Sequence, residues 1–116
     1  KGLVLVSGCG HPGIVKMVRA AREMTGLPVY AVAGGLHLYY KRCNGGLPPM
    51  IVGSDRLFGL PPKLKTVKAA IAALQELGVK KAYVSPHDSD EATLGLFADS
   101  FGAGFGRIQA GKAVQF

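Results

Sequence analysis

The chain has 116 residues, of which 48% are hydrophobic and 18% charged, and its formal net charge is +7. This length suits one domain with a modest core, and the apolar content excludes an intrinsically disordered chain. No apolar run approaches the roughly 20 residues that cross a bilayer, so we expect no contact with the membrane interior.

The first predicted unit is a strand that turns into a helix. Residues 3–6 form a continuous apolar run bounded by glycine, which is typical of a strand buried on both faces. The glycine-rich corner GCGHPG follows at residues 8–13 and contains Cys9 and His11. Apolar residues then recur at helix spacing until Gly26, which suits a C-cap. His11 is thus predicted at the carboxyl end of a strand, where open α/β sheets usually bind ligands.

Two further strands repeat this arrangement. Residues 28–33 form the second, which runs into GGLHL with His37, and residues 81–84 form the third, which runs into SPHDS with His87. A helix with an apolar stripe is predicted between them over residues 63–77. The strand-helix-strand connections should be right-handed, with neighbouring strands parallel.

A long segment, residues 39–62, separates the second strand from the helix that follows it. The segment is rich in glycine and proline, and a connection of this length is usually functional or disordered. Because it leaves His37, it could fold over a site there; the alternative is a loop packed on the surface or against a partner. Its candidate substrate contacts are Tyr39, Tyr40, Arg42 and Arg56.

The last part of the chain is predicted as a helix followed by a hairpin. Asp88 or Ser89 is the expected helix N-cap. Asp88 has a second interpretation, because its carboxylate, beside His87, could orient an imidazole or bind a metal directly. Residues 105–116 are expected to form a hairpin that turns at residues 110–111.

The shared context of the three histidines predicts one site. If their strands are parallel neighbours, the imidazoles of His11, His37 and His87 gather at one edge of the sheet. Imidazole binds zinc, iron and manganese, so we expect a divalent metal, with zinc the first candidate. A purely structural role for all three is the alternative. Cys9 is either a thiolate near the metal or substrate or, more commonly in such a corner, a small buried residue.

The motifs GCGHPGI, GGLHL and SPHDS resemble the later motifs of metallo-β-lactamase-fold metallohydrolases, in the branch related to the dihydropterin synthase of methanopterin biosynthesis. Members of that branch read roughly GCSHxGI, then GGFHL, then a final P-x-H. The family's HxHxDH motif, which lies in its N-terminal half, is absent from this chain. Residues 1–116 therefore resemble a C-terminal half: an α/β sheet with helices on one face, taken from an αββα sandwich.

The resemblance implies a metal-dependent hydrolase, or a related transferase, once the N-terminal half is supplied. It implies His11 and His87 as metal ligands, with His37 either a third ligand or a substrate contact. Side chains that would support these ligands or contact substrate are Cys9, Asp88 and Tyr39. The expected partner is the N-terminal half, from the same precursor or a separate chain, or else a second copy. The rival interpretation is a non-catalytic metal-binding or assembly module that works only with its partner.

The positive charge favours anionic ligands in general, with nucleic acid as a lesser alternative. Lys16, Arg19 and Arg22 share one predicted helix face, and such faces are usually solvated surface. No aromatic-rich basic motif of a nucleic-acid module is present, so nucleic acid stays a minor possibility. The resemblance to metallohydrolases instead implies a small-molecule substrate. A chain that resembles a C-terminal half would show no signal peptide, so the sequence leaves the cellular compartment open. We give a slight preference to the cytoplasm.

Overall fold

The computed structural model describes residues 1–40 and 64–116. Its strands and α-helices in chain order are β1 (Leu3–Ser7), α1 (Ile14–Thr25), β2 (Val29–Gly34), α2 (Leu64–Glu76), β3 (Lys81–Val84), α3 (Glu91–Phe101) and β4 (Phe105–Arg107), with a 3-10 turn at Gly102–Gly104 between the last two. The three predicted strands are confirmed to within one residue at each end. No helix in the described ranges has both the length and the apolar character needed to cross a bilayer.

The four strands form one parallel sheet in the order β1-β2-β3-β4. At the carboxyl ends, Ser7 pairs with Gly34, Gly34 with Val84, and Val84 with Arg107. The strands thus end in register along one edge. Since each new strand is added on the same side of the previous one, right-handed crossovers bring all three helices to one face of the sheet. This arrangement confirms the predicted α/β sheet with helices on one face.

The hydrophobic core lies between this face and the helices. Val32 and Ala82 from the sheet and Val18, Leu74 and Phe97, one from each helix, are completely buried. Each of the three helices thus turns apolar side chains toward the sheet. Burial of such side chains stabilises the fold by about 1.5–3 kcal/mol each for the larger ones.

The opposite face of the sheet is partly open. Side chains alternate along a strand, so Leu3 and Leu5 of β1 pack against the core while Val4 and Val6 point the other way. Val4 is 39% exposed and Val6 is 73% exposed. The surface is apolar because successive residues of β1 are apolar, so that both of its faces carry apolar side chains.

The C-terminal segment covers another part of that face. The Tyr83 ring lies edge-on to Phe116 with centroids 5.2 Å apart, and its hydroxyl donates to the Gln115 carbonyl at 2.7 Å. The predicted hairpin over residues 105–116 is wrong. Its turn exists, closed by a bond from the Lys112 N–H to the Gln109 carbonyl, but the first arm pairs parallel to β3 and residues 112–116 form no strand.

Several predicted features of the long segment lie outside the described residues. These are Arg42 and Arg56; the predicted first residue of the following helix, Lys63, also lies outside them. The segment leaves the described structure after Tyr40 and rejoins it at Leu64, the first residue of α2.

Candidate functional site

The two corners that carry His11 and His37 touch through their backbones. The Gly35 N–H donates to the Gly8 carbonyl at 2.8 Å, which ties the end of β2 to the end of β1. A Cβ atom on Gly35 would overlap that carbonyl oxygen and would also crowd the Asp88 carboxylate. The glycines of GCGH and GGLH thus allow three segments of chain to meet at the edge of the sheet.

His11 and His37 are in direct contact at this edge. Their ring centroids are 4.6 Å apart and the ring planes are tilted by 56°. Nδ1 of His11 is buried and has no hydrogen-bond partner among the described residues. The pairing confirms that two of the three corners converge. The Nδ1 of His11 carries a lone pair or a proton that none of the described residues satisfies.

The backbone of His37 has an uncommon conformation. Its φ angle is 51°, in the left-handed region that non-glycine residues rarely adopt. Its N–H donates to Oδ2 of Asp88 at 3.0 Å. On its other side, the His37 ring meets Tyr39 edge-on at 5.5 Å. Tyr39 is only 4% exposed, so its observed role is to pack against His37; whether it reaches a substrate stays a prediction.

Asp88 lies between the second and third corners. It is 7% exposed, and this burial raises the pKa of its carboxyl above the ordinary value. The His37 N–H, the charges of the His37 and His87 imidazoles and the Leu36 N–H oppose that rise in pKa. Its Oδ1 is buried without a hydrogen-bond partner in the described part of the chain.

The predicted N-cap at Asp88 or Ser89 is wrong, because α3 is capped by Asp90. The Asp90 Oδ1 accepts the Thr93 N–H at 2.7 Å, and its Oδ2 accepts the Tyr40 N–H at 2.9 Å. All three residues of the run Asp88-Ser89-Asp90 are of types that commonly cap helices, so the sequence alone did not show which of them is the N-cap. Asp88 is consequently released from capping and serves the histidine corner instead.

His87 occupies a different environment from the other two histidines. Its side chain is exposed, and its backbone N–H donates to the Ser85 hydroxyl at 3.2 Å. It lies close enough to Asp88 for its charge to act on the pKa of that carboxyl. That His87 joins the other two imidazoles around one ion stays a prediction.

Cys9 is a partly buried free thiol in the first corner. Within residues 1–40 and 64–116, no three His, Cys, Asp or Glu side chains are arranged to hold a metal ion. The donors nevertheless have suitable chemistry, since the buried Nδ1 of His11 lacks a partner there and a second imidazole is adjacent. The described residues therefore fit part of a metal site without completing one.

Comparison with known proteins finds a related sequence and a solved structure with a similar fold. The chain is 35% identical over 117 aligned residues to 7,8-dihydropterin-6-methyl-4-(β-D-ribofuranosyl)-aminobenzene-5′-phosphate synthase of Methanocaldococcus jannaschii, covering 100% of this chain and 32% of that protein. A crystal structure of a metal-dependent hydrolase of the β-lactamase superfamily superposes with a TM-score of 0.67 at 23% identity, covering 99% of this chain and 36% of that one. No protein-family model matches the chain.

These matches agree with the motif order and the sheet topology. The structural match extends over nearly the whole chain, so it concerns the complete arrangement of strands and helices rather than one motif. The sequence match likewise includes all three histidine corners, because it covers the entire chain. The chain is thus similar in sequence to the Methanocaldococcus jannaschii synthase and has part of the metallo-β-lactamase fold, and it spans about a third of the length of the proteins it matches.

Proposed function

We propose that this chain supplies part of the divalent-metal site of a metal-dependent hydrolase of the metallo-β-lactamase superfamily. In this proposal His11 and His37 are ligands, His87 approaches from the third corner, and the remaining ligands come from outside residues 1–40 and 64–116. Zinc is the first candidate, with iron and manganese as alternatives.

The observation that carries the proposal is the contact between His11 and His37. Two imidazoles whose centroids are 4.6 Å apart, with the Nδ1 of His11 buried and lacking a partner among described residues, leave a polar group that an ion would satisfy. Imidazole pairs of this kind are common donors to zinc. A His11 side chain with a purely structural role would be expected to have its buried Nδ1 hydrogen-bonded.

The residues of this chain have distinct tasks in the proposed site. When bound, a divalent ion acts as a Lewis acid and lowers the pKa of a water molecule to about 7. His11 and His37 would bind and orient that ion from the ends of β1 and β2. The packing of Tyr39 against the His37 ring excludes water from one side of the imidazole.

Zinc titration by calorimetry, at neutral pH, tests this proposal. We expect weak binding to the chain alone, because two neighbouring imidazoles are fewer donors than a closed zinc site uses. Binding should be lost in His11→Ala and retained in Glu23→Ala, whose side chain is exposed on α1. Tight binding at unit stoichiometry that is unchanged in His11→Ala would contradict both the proposal and the role of His11.

The partner in this proposal covers the sheet face that carries Val4 and Val6. We favour the remainder of the same fold, from one precursor or a separate chain, with a second copy as the alternative. Exposed valines on a sheet face are typical of a surface that another layer covers. Intact mass spectrometry of the native chain and whatever co-purifies with it tests this, and a co-purifying chain with an HxHxDH motif is the expected result.

The reaction of the complete protein is proposed as hydrolytic, although the related protein from Methanocaldococcus jannaschii is a synthase. Because the chain is similar in sequence to that synthase, a phosphorylated dihydropterin of the kind in its name is the first small molecule to test as a substrate. The second candidate function is a non-catalytic metal-binding or assembly module. It is favoured by the incomplete donor set within the described residues, and zinc binding without hydrolysis in the complete assembly would support it.

A further inference from the structure

Two aspartates of the third corner hold the chain that carries His37. Asp88 accepts the His37 N–H at 3.0 Å, and Asp90 accepts the Tyr40 N–H at 2.9 Å. Both carboxylates are buried, with 7% and 4% of their surface exposed. The backbone of residues 37–40 is therefore attached at two points to a loop about 50 positions away in the sequence.

Of the two attachments, the one made by Asp88 is to the backbone of the residue that carries the imidazole. His37 is in the left-handed region at φ 51°, where a non-glycine residue needs compensating contacts. The backbone conformation sets the direction in which the Cα–Cβ bond leaves the chain, and the ring centroid lies 4.6 Å from that of His11. The hydrogen bond from the His37 N–H to the Asp88 carboxylate is charge-assisted, and such a bond is strong enough to offset the cost of this backbone conformation.

The fit around Asp88 also restricts the residue type. Its Oδ2 lies so close to Gly35 that a Cβ atom there would crowd it. A longer acidic side chain would have to displace this corner, whereas asparagine has the same length and retains a carbonyl oxygen. Asp90 already caps α3, so Asp88 has no competing task in the helix.

We propose that Asp88 is a positioning residue for His37, holding its backbone so that the imidazole faces His11. It acts through a hydrogen bond to the His37 N–H and does not need to touch an ion or substrate itself. This inference deepens the proposed metal site, but the backbone effect it describes exists in the chain without any ion.

Amide hydrogen exchange by NMR, on the full chain with zinc removed, tests the proposal. In Asp88→Ala, exchange of the His37 N–H should accelerate at least tenfold relative to the Val32 N–H, roughly what losing a bond to a charged acceptor implies. The cross-peak between the His11 and His37 rings in nuclear Overhauser spectra should weaken in parallel. In Asp88→Asn, which keeps an acceptor, both signals should stay close to those of the unmodified chain.

Ile71→Val serves as the control for general loss of stability, because Ile71 is buried in α2. It should accelerate protected amides together, without a selective effect at His37. An unchanged His37 exchange rate in Asp88→Ala would overturn the proposal, and so would an equal loss in Asp88→Asn. If the alanine variant fails to fold, the asparagine variant decides alone: retention of the slow His37 exchange supports the proposal and loss overturns it.

Zinc affinity separates this inference from the proposed function. If the unmodified chain and its partner bind zinc, Asp88→Ala should weaken binding by about 10–100-fold, as expected when a ligand loses its support. If the unmodified assembly binds no zinc, the metal proposal fails. The exchange and ring-contact results would still decide whether Asp88 positions His37.

Discussion

His37 and Asp88 are joined by a hydrogen bond of 3.0 Å although 51 positions separate them in the sequence. The contact exists because β2 and β3 are adjacent parallel strands, so the chain leaves both at the same edge. It also explains why the residue that follows the last histidine is buried and acidic. The second and third corners of the candidate site consequently behave as one unit.

Stability should depend on pH through Asp88. Burial raises the pKa of this carboxyl, so the folded chain binds its proton more tightly than the unfolded chain does. The free energy of unfolding should therefore fall as pH rises from the ordinary aspartate pKa of about 3.9 through the raised value, and then level off. Urea unfolding of the metal-free chain at a series of pH values measures this.

Asp88→Asn should remove this component of the pH dependence and be relatively more stable at neutral pH. Asp99→Asn, on the exposed side of α3, is the control and should keep the profile of the unmodified chain. A profile for Asp88→Asn that matches the unmodified chain would argue against a raised pKa at this position.

Asp90→Ala should destabilise the fold more than an ordinary cap deletion. Loss of the bond from the Thr93 N–H costs about 1 kcal/mol, the usual value for an N-cap, and the Tyr40 N–H also loses its acceptor. We expect a total of about 2–3 kcal/mol in urea unfolding, since a buried donor is left unsatisfied. Asp99→Ala, with its exposed side chain on the same helix, should change stability by less than about 0.5 kcal/mol.

Alanine substitutions at Gly35 and Gly95 should have opposite effects. In Gly35→Ala the new methyl group overlaps the Gly8 carbonyl, so we expect a loss of about 2–3 kcal/mol and separation of the His11 and His37 rings. In Gly95→Ala the methyl group meets nothing within 4 Å on the exposed side of α3, so a gain of about 0.5–1 kcal/mol is expected. Thermal melting of both variants measures these effects, and a harmless Gly35→Ala would refute the close contact of the corners.

Val6→Asp should separate the chain from its proposed partner. The side chain is 73% exposed on the sheet face opposite the helices, so a carboxylate there has little effect on the isolated fold. Under a second layer, the same carboxylate would be buried without a counter-ion, which is strongly unfavourable. Sedimentation velocity should show dissociation for this variant and not for Met24→Asp, which changes an 86% exposed residue of α1. Equal behaviour of the two variants would move the interface elsewhere.

The strands and the histidine corners were predictable because their signals are local. Short, mainly apolar runs that lead into glycine- or proline-containing corners are sufficient to locate β1, β2 and β3, and parallel pairing then brings His11 and His37 to one edge. The packing of the helices on one face of the sheet was also predictable, because connections between neighbouring parallel strands are right-handed.

The errors have a common cause in long-range contacts. Which residue of the run 88–90 caps α3 depends on Tyr40, whose N–H binds Asp90, and on His37, whose N–H binds Asp88. The final strand was given the wrong partner because Phe105 lies beside Ala82, a neighbour that only the crossover through α3 provides. Neither relationship has a sequence pattern of its own.

The place where the segment after Tyr40 joins the fold has an evolutionary consequence. Its two attachment points, the extension of β2 and the start of α2, both belong to the edge where His11 and His37 meet. At the opposite edge, α1 reaches β2 and α2 reaches β3 through short turns, residues 26–28 and 77–80. Insertions and deletions between residues 40 and 64 would therefore enter the fold at this edge, and descendants of this gene can differ there while they inherit the scaffold beneath unchanged.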